Sequence, residues 1–316
     1  MAPVAQWIVD TDAGVDDAVA LMCAMLRTDI EWAGLTSVSG NAPEELVAKN
    51  LCHILDWMDK DVPVFRGTSK PLFREPIRSL DFMGADGLGG ITPHLPTLRH
   101  TTVPGNASMI LPDLLKAART KGEVVLVAIG PLTNLALAVR LAPEMVSSVD
   151  RLVIMGGAVH ARGNTSPVAE FNVYSDPEAA SIVFGAGFKE TWLVPWETTV
   201  NYFLPWEEYD TLCALPSRNV GLFKQLTATT EEFLRRKLQF PGIVLPDLLA
   251  IAIALDPGIA LDAPEVFVAV DTNKGIAHGL TAVDWSRTTG RQPNMRVVER
   301  IDAQHAYSFL IEALQR

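Results

Sequence analysis

Short apolar runs alternate along this chain with segments of helical length, and this alternation constrains the fold more than any other feature. Strands that are apolar along their whole length are buried on both faces, as in parallel sheets covered by helices. The sequence therefore predicts an α/β protein with a mostly parallel central sheet flanked by helices. Strands are predicted over 6–10, 31–40, 62–67, 123–130, 150–157 and 191–197, and helices over 16–28, 43–59, 131–142 and 176–187.

The last third of the chain predicts a different arrangement. Residues 264–272, 278–286 and 294–302 read as late strands, an antiparallel addition to the sheet, and 303–315 as a final helix. Residues 67–105 are rich in Gly and Pro and read as a long functional loop. No break in composition marks a boundary, so we expect one domain over residues 1–316.

Several residues unusual for a strand fall at the carboxyl ends of the predicted strands. Asp10 and Asp12 lie at the end of the first strand, Asn41 follows the second, and the pairs 129–130 and 156–157 end two later ones. In open parallel sheets, ligands bind beyond the carboxyl ends of the strands. The sequence therefore predicts a single site at this edge of the sheet.

The segment IVDTDAGVDD, residues 8–17, places four carboxylates within eight positions. Asp16 and Asp17 could cap the following helix, but a cap uses only one or two acids. Like charges this close repel, and burying them requires a compensating cation or hydrogen-bonding ligand. Oxygen ligands at this spacing suit a hard cation such as Ca²⁺ or Mg²⁺.

Two other acidic motifs compete for this segment. An EF-hand is excluded, because the twelfth position counted from Asp10 is Leu21, where a bidentate Glu is needed. A phosphatase of the haloacid dehalogenase type also begins with a strand and Asp-x-Asp, and would use Asp10 as its nucleophile. That family continues with Gly-Thr or Gly-Val, whereas this chain has Ala13, so the phosphatase stays as an alternative.

Composition narrows the class of partner. The formal net charge is −11 and 48% of residues are hydrophobic, which favours a folded domain and disfavours binding to nucleic acid or anionic membranes. Three separated cysteines in predicted helices, Cys23, Cys52 and Cys213, fit buried thiols in a reducing compartment. Without a recognisable signal peptide or a span-length apolar run, we expect a cytoplasmic protein.

Seven motifs taken together resemble the nucleoside hydrolases of the inosine–uridine-preferring superfamily. The resemblance covers residues 6 to about 255 and implies the open, Rossmann-like sheet of that family. The motifs are DTDAGVDD (10–17), SGN (39–41), GADGLGG (84–90), AIGPLTNLALA (128–138), MGG (155–157), GNTSPVAEFNVYSDPEAA (163–180) and LPDLLA (245–250).

The resemblance implies a tightly bound Ca²⁺ ion and a small nucleoside as substrate. The ligands of the Ca²⁺ ion would be Asp12, Asp17, the backbone carbonyl of Ile129 and Asp247. Asp12 would also be the general base that takes a proton from a metal-bound water, while Asp10 would support the loop by hydrogen bonds. The family resemblance further implies a homodimer or homotetramer.

The same resemblance assigns the sugar contacts. Asp16 would hold a ribose hydroxyl, and Asn41 would lie near the metal and the ribose as a second catalytic residue. Asn164, Glu170 and Asn172 would hold the 3′ and 5′ hydroxyls. Cleavage of an N-glycosidic bond passes through an oxocarbenium-like state, for which a carboxylate and a held water are suited.

The chain departs from the family where the base would bind. Met83 and Pro246 stand where many relatives have histidines that help the leaving group depart, a contribution of typically ~10²–10⁴-fold. A proton could instead come from the basic run 235–237 or from His160, or the base could be activated by stacking. The aromatic candidates for stacking are Phe82, Phe171, Trp196 and Phe240.

These observations predict calcium-dependent hydrolysis of ribonucleosides to a free base and ribose. Met83, Phe171 and Trp196 are the expected contacts to the base. A nucleoside- or ribose-binding protein with weak or no turnover stays as the alternative, because both histidines are missing. The intact Asp12 argues against it, since a pure binder needs no base.

Overall fold

The structure is a computed structural model that describes residues 4–316. Its strands are β1 (Ala5–Thr11), β2 (Ile30–Ser37), β3 (Val64–Arg66), β4 (Val103–Asn106), β5 (Val124–Ala128), β6 (Arg151–Met155), β7 (Thr191–Val194), β8 (Leu204–Pro205), β9 (Gly242–Ile243), β10 (Ala260–Asp262), β11 (Glu265–Val266), β12 (Val268–Val270), β13 (Thr281–Val283), β14 (Met295–Val297) and β15 (Arg300–Ile301).

Helices cover both faces of the sheet that most of these strands form. They are α1 (Val15–Met25), α2 (Glu44–Met58), α3 (Leu80–Met83), α4 (Ala107–Arg119), α5 (Thr133–Leu141), α6 (Phe171–Ser175), α7 (Pro177–Phe184), α8 (Trp196–Asn201), α9 (Trp206–Cys213), α10 (Arg218–Glu232), α11 (Pro246–Leu255) and α12 (Ala303–Gln315). A π-helical turn, Phe233–Lys237, continues α10.

Within residues 4–316 the main sheet has nine strands in the order β11-β14-β7-β6-β5-β1-β2-β3-β4. Every neighbouring pair is parallel except β11 with β14. The chain builds β1 to β4 outward on one side and then returns to place β5 on the other side of β1. This reversal is the topological switch point where open α/β sheets bind ligands.

Two hydrophobic cores lie on opposite faces of this sheet. Side chains alternate between the faces of a strand, and β5 shows the consequence clearly. Val125 and Val127 enter the core formed with α1, α2, α11 and α12. Val124, Leu126 and Ala128 enter the core formed with α4, α5 and α7. Both faces of the strand are therefore buried, as the apolar sequence predicts.

The predicted α/β class and the mostly parallel sheet are confirmed. The late strands were predicted as an antiparallel addition, and this is right only in part. Strand β14 extends the main sheet parallel to β7, while β11 pairs antiparallel with it and β12 with β13 forms a separate antiparallel ribbon. The buried Met295 and Val297 explain why β14 joins the main sheet, because they enlarge the second core.

Two further features bear on the predictions. The long loop 67–105 contains the short helix α3 and ends in the edge strand β4, and the three cysteines lie separately in α1, α2 and α9 as free thiols. None of the helices among residues 4–316 combines the length and the apolarity needed to span a bilayer.

Candidate active site

The turn between β1 and α1 is held by Thr11 and Asp17. The Thr11 hydroxyl donates to Oδ1 of Asp17 and accepts from the backbone N–H of Ala13 at 3.0 Å. The N–H of Gly14 donates to Oδ2 of Asp17 at 2.8 Å. Ala13 has a φ of 40°, a left-handed conformation that residues other than glycine rarely adopt and that is common at functional sites. The turn therefore has one fixed geometry, from which Asp12 and Asp16 project.

Asp12 is completely buried at the end of β1. Its Oδ2 accepts a hydrogen bond of 2.6 Å from the backbone N–H of Asn41, in the loop after β2. Its Oδ1 is also buried and has no hydrogen-bond partner among residues 4–316. The carboxylate is thus fixed through one oxygen, and the other oxygen is left for a group that binds there.

Carboxylates from two parts of the chain meet beside Asp12. Oxygen atoms of Asp16, Asp17 and Asp247 lie within 4.8 Å of one another, Asp247 being in the first turn of α11. Burial raises the pKa of Asp247 well above its ordinary value, and repulsion from Asp16, Asp17 and Asp12 raises it further. The cluster brings together the predicted ligands Asp17 and Asp247, and adds Asp16 to them.

The pKa of Asp12 is raised for the same reasons, first by burial and then by the charge of Asp17. Burial raises the pKa of Asp16 to about 7. Carboxylates in this position can all be ionised at neutral pH only beside a compensating cation. The donor set is made of oxygen alone, with a partnerless buried oxygen on Asp12, and it fits a hard cation such as Ca²⁺.

Asp10 has a structural role. It is fully buried, and its Oδ1 accepts hydrogen bonds from Thr36 at 2.5 Å and from the amide of Asn134 at 2.7 Å. These bonds join β1 to β2 and to α5, which is the supporting role predicted for Asp10. The phosphatase alternative needs Asp10 as a nucleophile, and its attachment to Thr36 and Asn134 argues against that role.

The Ile129 carbonyl is at the carboxyl end of β5, and Ile129 lines the cavity. The N–H of Ile129 donates to the carbonyl of Asp10 at 2.9 Å, which extends the pairing of β5 with β1 by one residue. The side-chain amide of Asn172 donates to the Ile129 carbonyl at 3.2 Å and to the Met155 carbonyl at the same distance. Asn172 therefore orients the predicted backbone ligand, and its own Oδ1 remains for a second partner.

Glu170 caps α6 and lines the cavity at the same time. Its Oε1 accepts from the N–H of Asn172 at 2.7 Å, and its Oε2 accepts from Gly157 at 2.8 Å and Val173 at 3.1 Å. Burial nevertheless raises its pKa to about 7. Asn164 also lines the cavity but is exposed, which places it at the mouth.

The cavity has a volume of about 500 Å³ and two chemically distinct halves. The polar half contains Asp16, Asn41, Glu170, Asn172 and Asp247, and the predicted ligands Asp12 and Asp17 lie behind it. The other half is apolar and contains the predicted base contacts. Its lining residues include Phe82, Met83, Phe171, Trp196, Val200, Phe233, Leu234, Leu238, Phe240 and Val244.

The substitute proton donors considered from the sequence lie outside this cavity. Arg235 pairs with Asp210 at 2.6 Å, and the Lys237 ammonium lies 5.2 Å from the centre of the Phe233 ring. His160 pairs with Glu299 at 2.9 Å and stacks on Trp285. Of the residues that line the cavity in the described chain, none is His, Lys or Arg.

Sequence reasoning missed the wall that α10 and its π-helical turn contribute. Thr230, Leu234 and Leu238 recur every four residues and line the cavity together with Phe233. Thr230 is 3% exposed, and its hydroxyl has no hydrogen-bond partner within the described part of the chain. Ser79 also lines the cavity, and sequence reasoning did not identify it as a site residue. The four-residue spacing could have revealed one helix face, but nothing in the sequence indicates that this face turns toward the site.

Known proteins resemble this chain in sequence and in fold. Residues 7–308 match the family model described as inosine-uridine preferring nucleoside hydrolase. The pyrimidine-specific ribonucleoside hydrolase RihA of Salmonella gallinarum is 34% identical, with 98% of this chain and 97% of that protein covered. The non-specific ribonucleoside hydrolase RihC of Escherichia fergusonii is 33% identical over the same shares.

A solved structure titled inosine-guanosine nucleoside hydrolase superposes with a TM-score of 0.91 at 31% identity, with 98% of each chain covered. The match extends over the sheet, both helical layers and the elements that carry the acidic cluster. The chain therefore belongs to the inosine-uridine preferring nucleoside hydrolase family, the enzymes that hydrolyse the N-glycosidic bond of ribonucleosides.

Proposed function

We propose that this nucleoside hydrolase depends on calcium and that Asp12 is its general base. One observation carries the proposal: four acidic side chains, Asp12, Asp16, Asp17 and Asp247, converge at the carboxyl end of β1 beside the cavity. Such a cluster is unfavourable by itself, and a divalent cation would stabilise it. Asp12, Asp17, Asp247 and the Ile129 carbonyl are the ligands proposed for it.

Calcium, when bound, would supply charge compensation and would position and acidify a water molecule. The chain's own contribution is the fixed orientation of Asp12. Its Oδ2 is held by the N–H of Asn41, and its Oδ1 is free to accept a proton from the attacking water. A base held in one geometry beside the reacting atoms contributes typically ~10²–10⁴-fold to the rate.

The polar half of the cavity would hold the ribose. Asp16 would accept from one hydroxyl, and Asn164, Glu170 and Asn172 would contact the others. The three backbone N–H groups on Glu170 leave its remaining lone pairs available for a sugar hydroxyl. Because Asp16, Glu170 and Asn172 are buried or partly buried, a sugar that lacks the matching hydroxyl would leave them without partners and would be rejected.

The apolar half would hold the base by stacking and apolar contact. Met83, Phe171 and Trp196, the predicted contacts, lie among further aromatic rings, with Phe82 and Phe233 packed edge to face at 5.3 Å. Offset and edge-to-face contacts with an aromatic ring favour a flat heterocycle. We infer that the base is selected mainly by its stacking surface, which would favour purines over pyrimidines.

Removal and return of calcium would test the proposal. Enzyme treated with EGTA should lose its activity, and Ca²⁺ should restore it, while Mg²⁺ serves as the control cation. At 100 times the dissociation constant, Ca²⁺ should add ~2.7 kcal/mol to the free energy of unfolding. At roughly 2 °C per kcal/mol, this raises the melting temperature by about 5 °C. Full activity in EGTA with an unchanged melting temperature would contradict calcium dependence.

We also propose, from the family resemblance, that the chain forms a homodimer or homotetramer. Sedimentation velocity would test this, and a single species at the chain mass of 34.3 kDa would contradict it.

A further inference from the structure

The geometry points to Ser79 as a positioning residue that fixes the side-chain amide of Asn41 with its N–H groups available to the ribose. The inference rests on the proposed role of Asn41 in ribose binding and adds the group that orients it. Both residues line the cavity, although they belong to loops 38 residues apart in the chain.

Asn41 is held on three sides. Its backbone N–H donates to Asp12, and its backbone carbonyl accepts from the N–H of Ser79 at 3.2 Å. Its side-chain Oδ1 accepts from the Ser79 hydroxyl. One serine therefore binds both the main chain and the side chain of Asn41, while the opposite side of the same residue holds the proposed base.

The contact with Ser79 determines which end of the amide is available. A carboxamide offers an oxygen acceptor and an NH₂ donor, and the Oδ1 acceptor of Asn41 already has the Ser79 hydroxyl as its partner. The Nδ2 group lies over the turn at Gly14, where a Cβ built on that glycine would be 2.7 Å from it. Asn41 is thus prepared to donate to a ligand oxygen and is poorly placed to bind a cation through Oδ1.

Asp16 lies two residues after Gly14 and lines the same cavity as Asn41. A carboxylate accepts hydrogen bonds only, whereas the Nδ2 group of Asn41 donates them. A ribose hydroxyl can donate to the one and accept from the other. The chemistry of this pair matches a hydroxyl better than a carbonyl or an ammonium group, because each of those could satisfy only one partner.

Ser79 also connects this donor to the base half of the cavity. Its carbonyl accepts from the N–H groups of Phe82 at 2.9 Å and Met83 at 2.8 Å, in the short helix α3. The neighbouring Arg78 donates to the carbonyl of Gly40 at 3.2 Å. The loop that carries the wall of the base site is therefore joined to the loop that carries Asn41, and Ser79 lies at the junction.

Ser79→Ala would remove the hydroxyl and let the amide of Asn41 rotate. We expect a loss of about ten-fold in kcat/KM for a ribonucleoside, the size typical of one hydrogen bond. The decisive readout is a panel of one nucleoside with its 2′-, 3′- and 5′-deoxy analogues. If Ser79 acts through Asn41, its penalty should disappear for the one analogue that lacks the hydroxyl Asn41 binds.

The loss in kcat/KM caused by Asn41→Ala should disappear on the same analogue. Ser79→Thr keeps a hydroxyl and should retain most of the wild-type activity. Ser79→Cys, which keeps the size with a weak donor, serves as a second variant should the alanine variant fail to fold. Ser147→Ala is the matched control, because the Ser147 hydroxyl is exposed and bonds only within its own turn to Glu144.

A Ser79 penalty that is equal for all four substrates, alongside a hydroxyl-specific penalty for Asn41→Ala, would overturn the inference alone. If the penalty of each variant, Ser79→Ala and Asn41→Ala, is the same on all four substrates, the ribose role of Asn41 is overturned and the inference with it. No effect of Ser79→Ala on any substrate would also overturn it.

Discussion

A single methyl group at Gly40 should inactivate the enzyme without changing any residue that carries the chemistry. Gly40 precedes Asn41, and its backbone lies outside the left-handed region, so alanine meets no conformational barrier there. A Cβ at this position would be 2.0 Å from Oδ2 of Asp12 and 2.7 Å from its Cγ. Ordinary contact begins at 3.4 Å, so the carboxylate or the loop has to move by about 1.4 Å, the difference between these distances.

The Asp12 carboxylate cannot move this far at low cost. It is completely buried and is held by the N–H of Asn41 at 2.6 Å. A displacement of about 1 Å in a catalytic constellation can cost ~10²-fold in rate. We therefore expect Gly40→Ala to lower kcat/KM by at least ~100-fold, or about 2.7 kcal/mol of transition-state stabilisation. Calcium affinity should fall as well, because Asp12 is a proposed ligand.

Gly221→Ala is the matched control for this substitution. Gly221 is an exposed residue within α10, away from the first residue of the helix. No heavy atom counted as a neighbour in the described chain lies within 4 Å of a Cβ added there. Alanine there should raise the free energy of unfolding by ~0.5–1 kcal/mol and leave the kinetics unchanged. Steady-state kinetics, calcium titration and thermal melts of both variants test the reasoning. Activity of Gly40→Ala within three-fold of wild type would refute it.

Two further substitutions test separate parts of the site. Burial raises the pKa of Glu170, which is 2% exposed, from 4.5 to about 7 in the folded protein. The protonated form therefore contributes stability that is fully present below pH 4.5 and is lost as the pH rises through 7. Relative to Glu170→Gln, the wild type should lose ~3 kcal/mol of unfolding free energy between pH 4 and pH 8 in urea titrations, and parallel pH curves would contradict this. Thr230→Val, which removes a buried hydroxyl without a partner in the described chain, should change KM for some bases by up to ~10-fold while leaving unchanged the ratio of ribo- to deoxyribonucleoside activity. Equal KM changes for every base would argue against a contact between Thr230 and the base.

The sheet and the acidic turn could be predicted because their causes are local. The apolar strands and the intervening helical segments indicate a parallel sheet wherever they occur, and a strand followed by clustered acids leads to the switch point. The residues at the strand ends accordingly meet in the structure, where Asn41 contacts Asp12 and lines one cavity with Ile129. What remained open was the relative placement of the separate loops.

The base half of the site depends on contacts between distant segments. The loop before α3 reaches Asn41 through Ser79, and α10 presents Thr230 and Leu234 to the cavity. The position of Thr230 and Leu234 follows from the packing of α10 in the core that contains α1, α2, α11 and α12. No local sequence pattern specifies this packing. Trp196 illustrates the limit, because core packing and cavity lining predict the same apolar sequence around it, and only the tertiary structure shows that it lines the cavity.

The most direct test of the central claim is ribose release from a panel of purine and pyrimidine ribonucleosides by wild type and Asp12→Ala, both saturated with Ca²⁺. Asp113→Ala, an exposed acid on α4, is the control. The account predicts that wild type and control release ribose, and that Asp12→Ala loses at least ~10²-fold in kcat because the base is gone. Ribose release by Asp12→Ala within ten-fold of wild type would contradict the assignment of Asp12 as the general base.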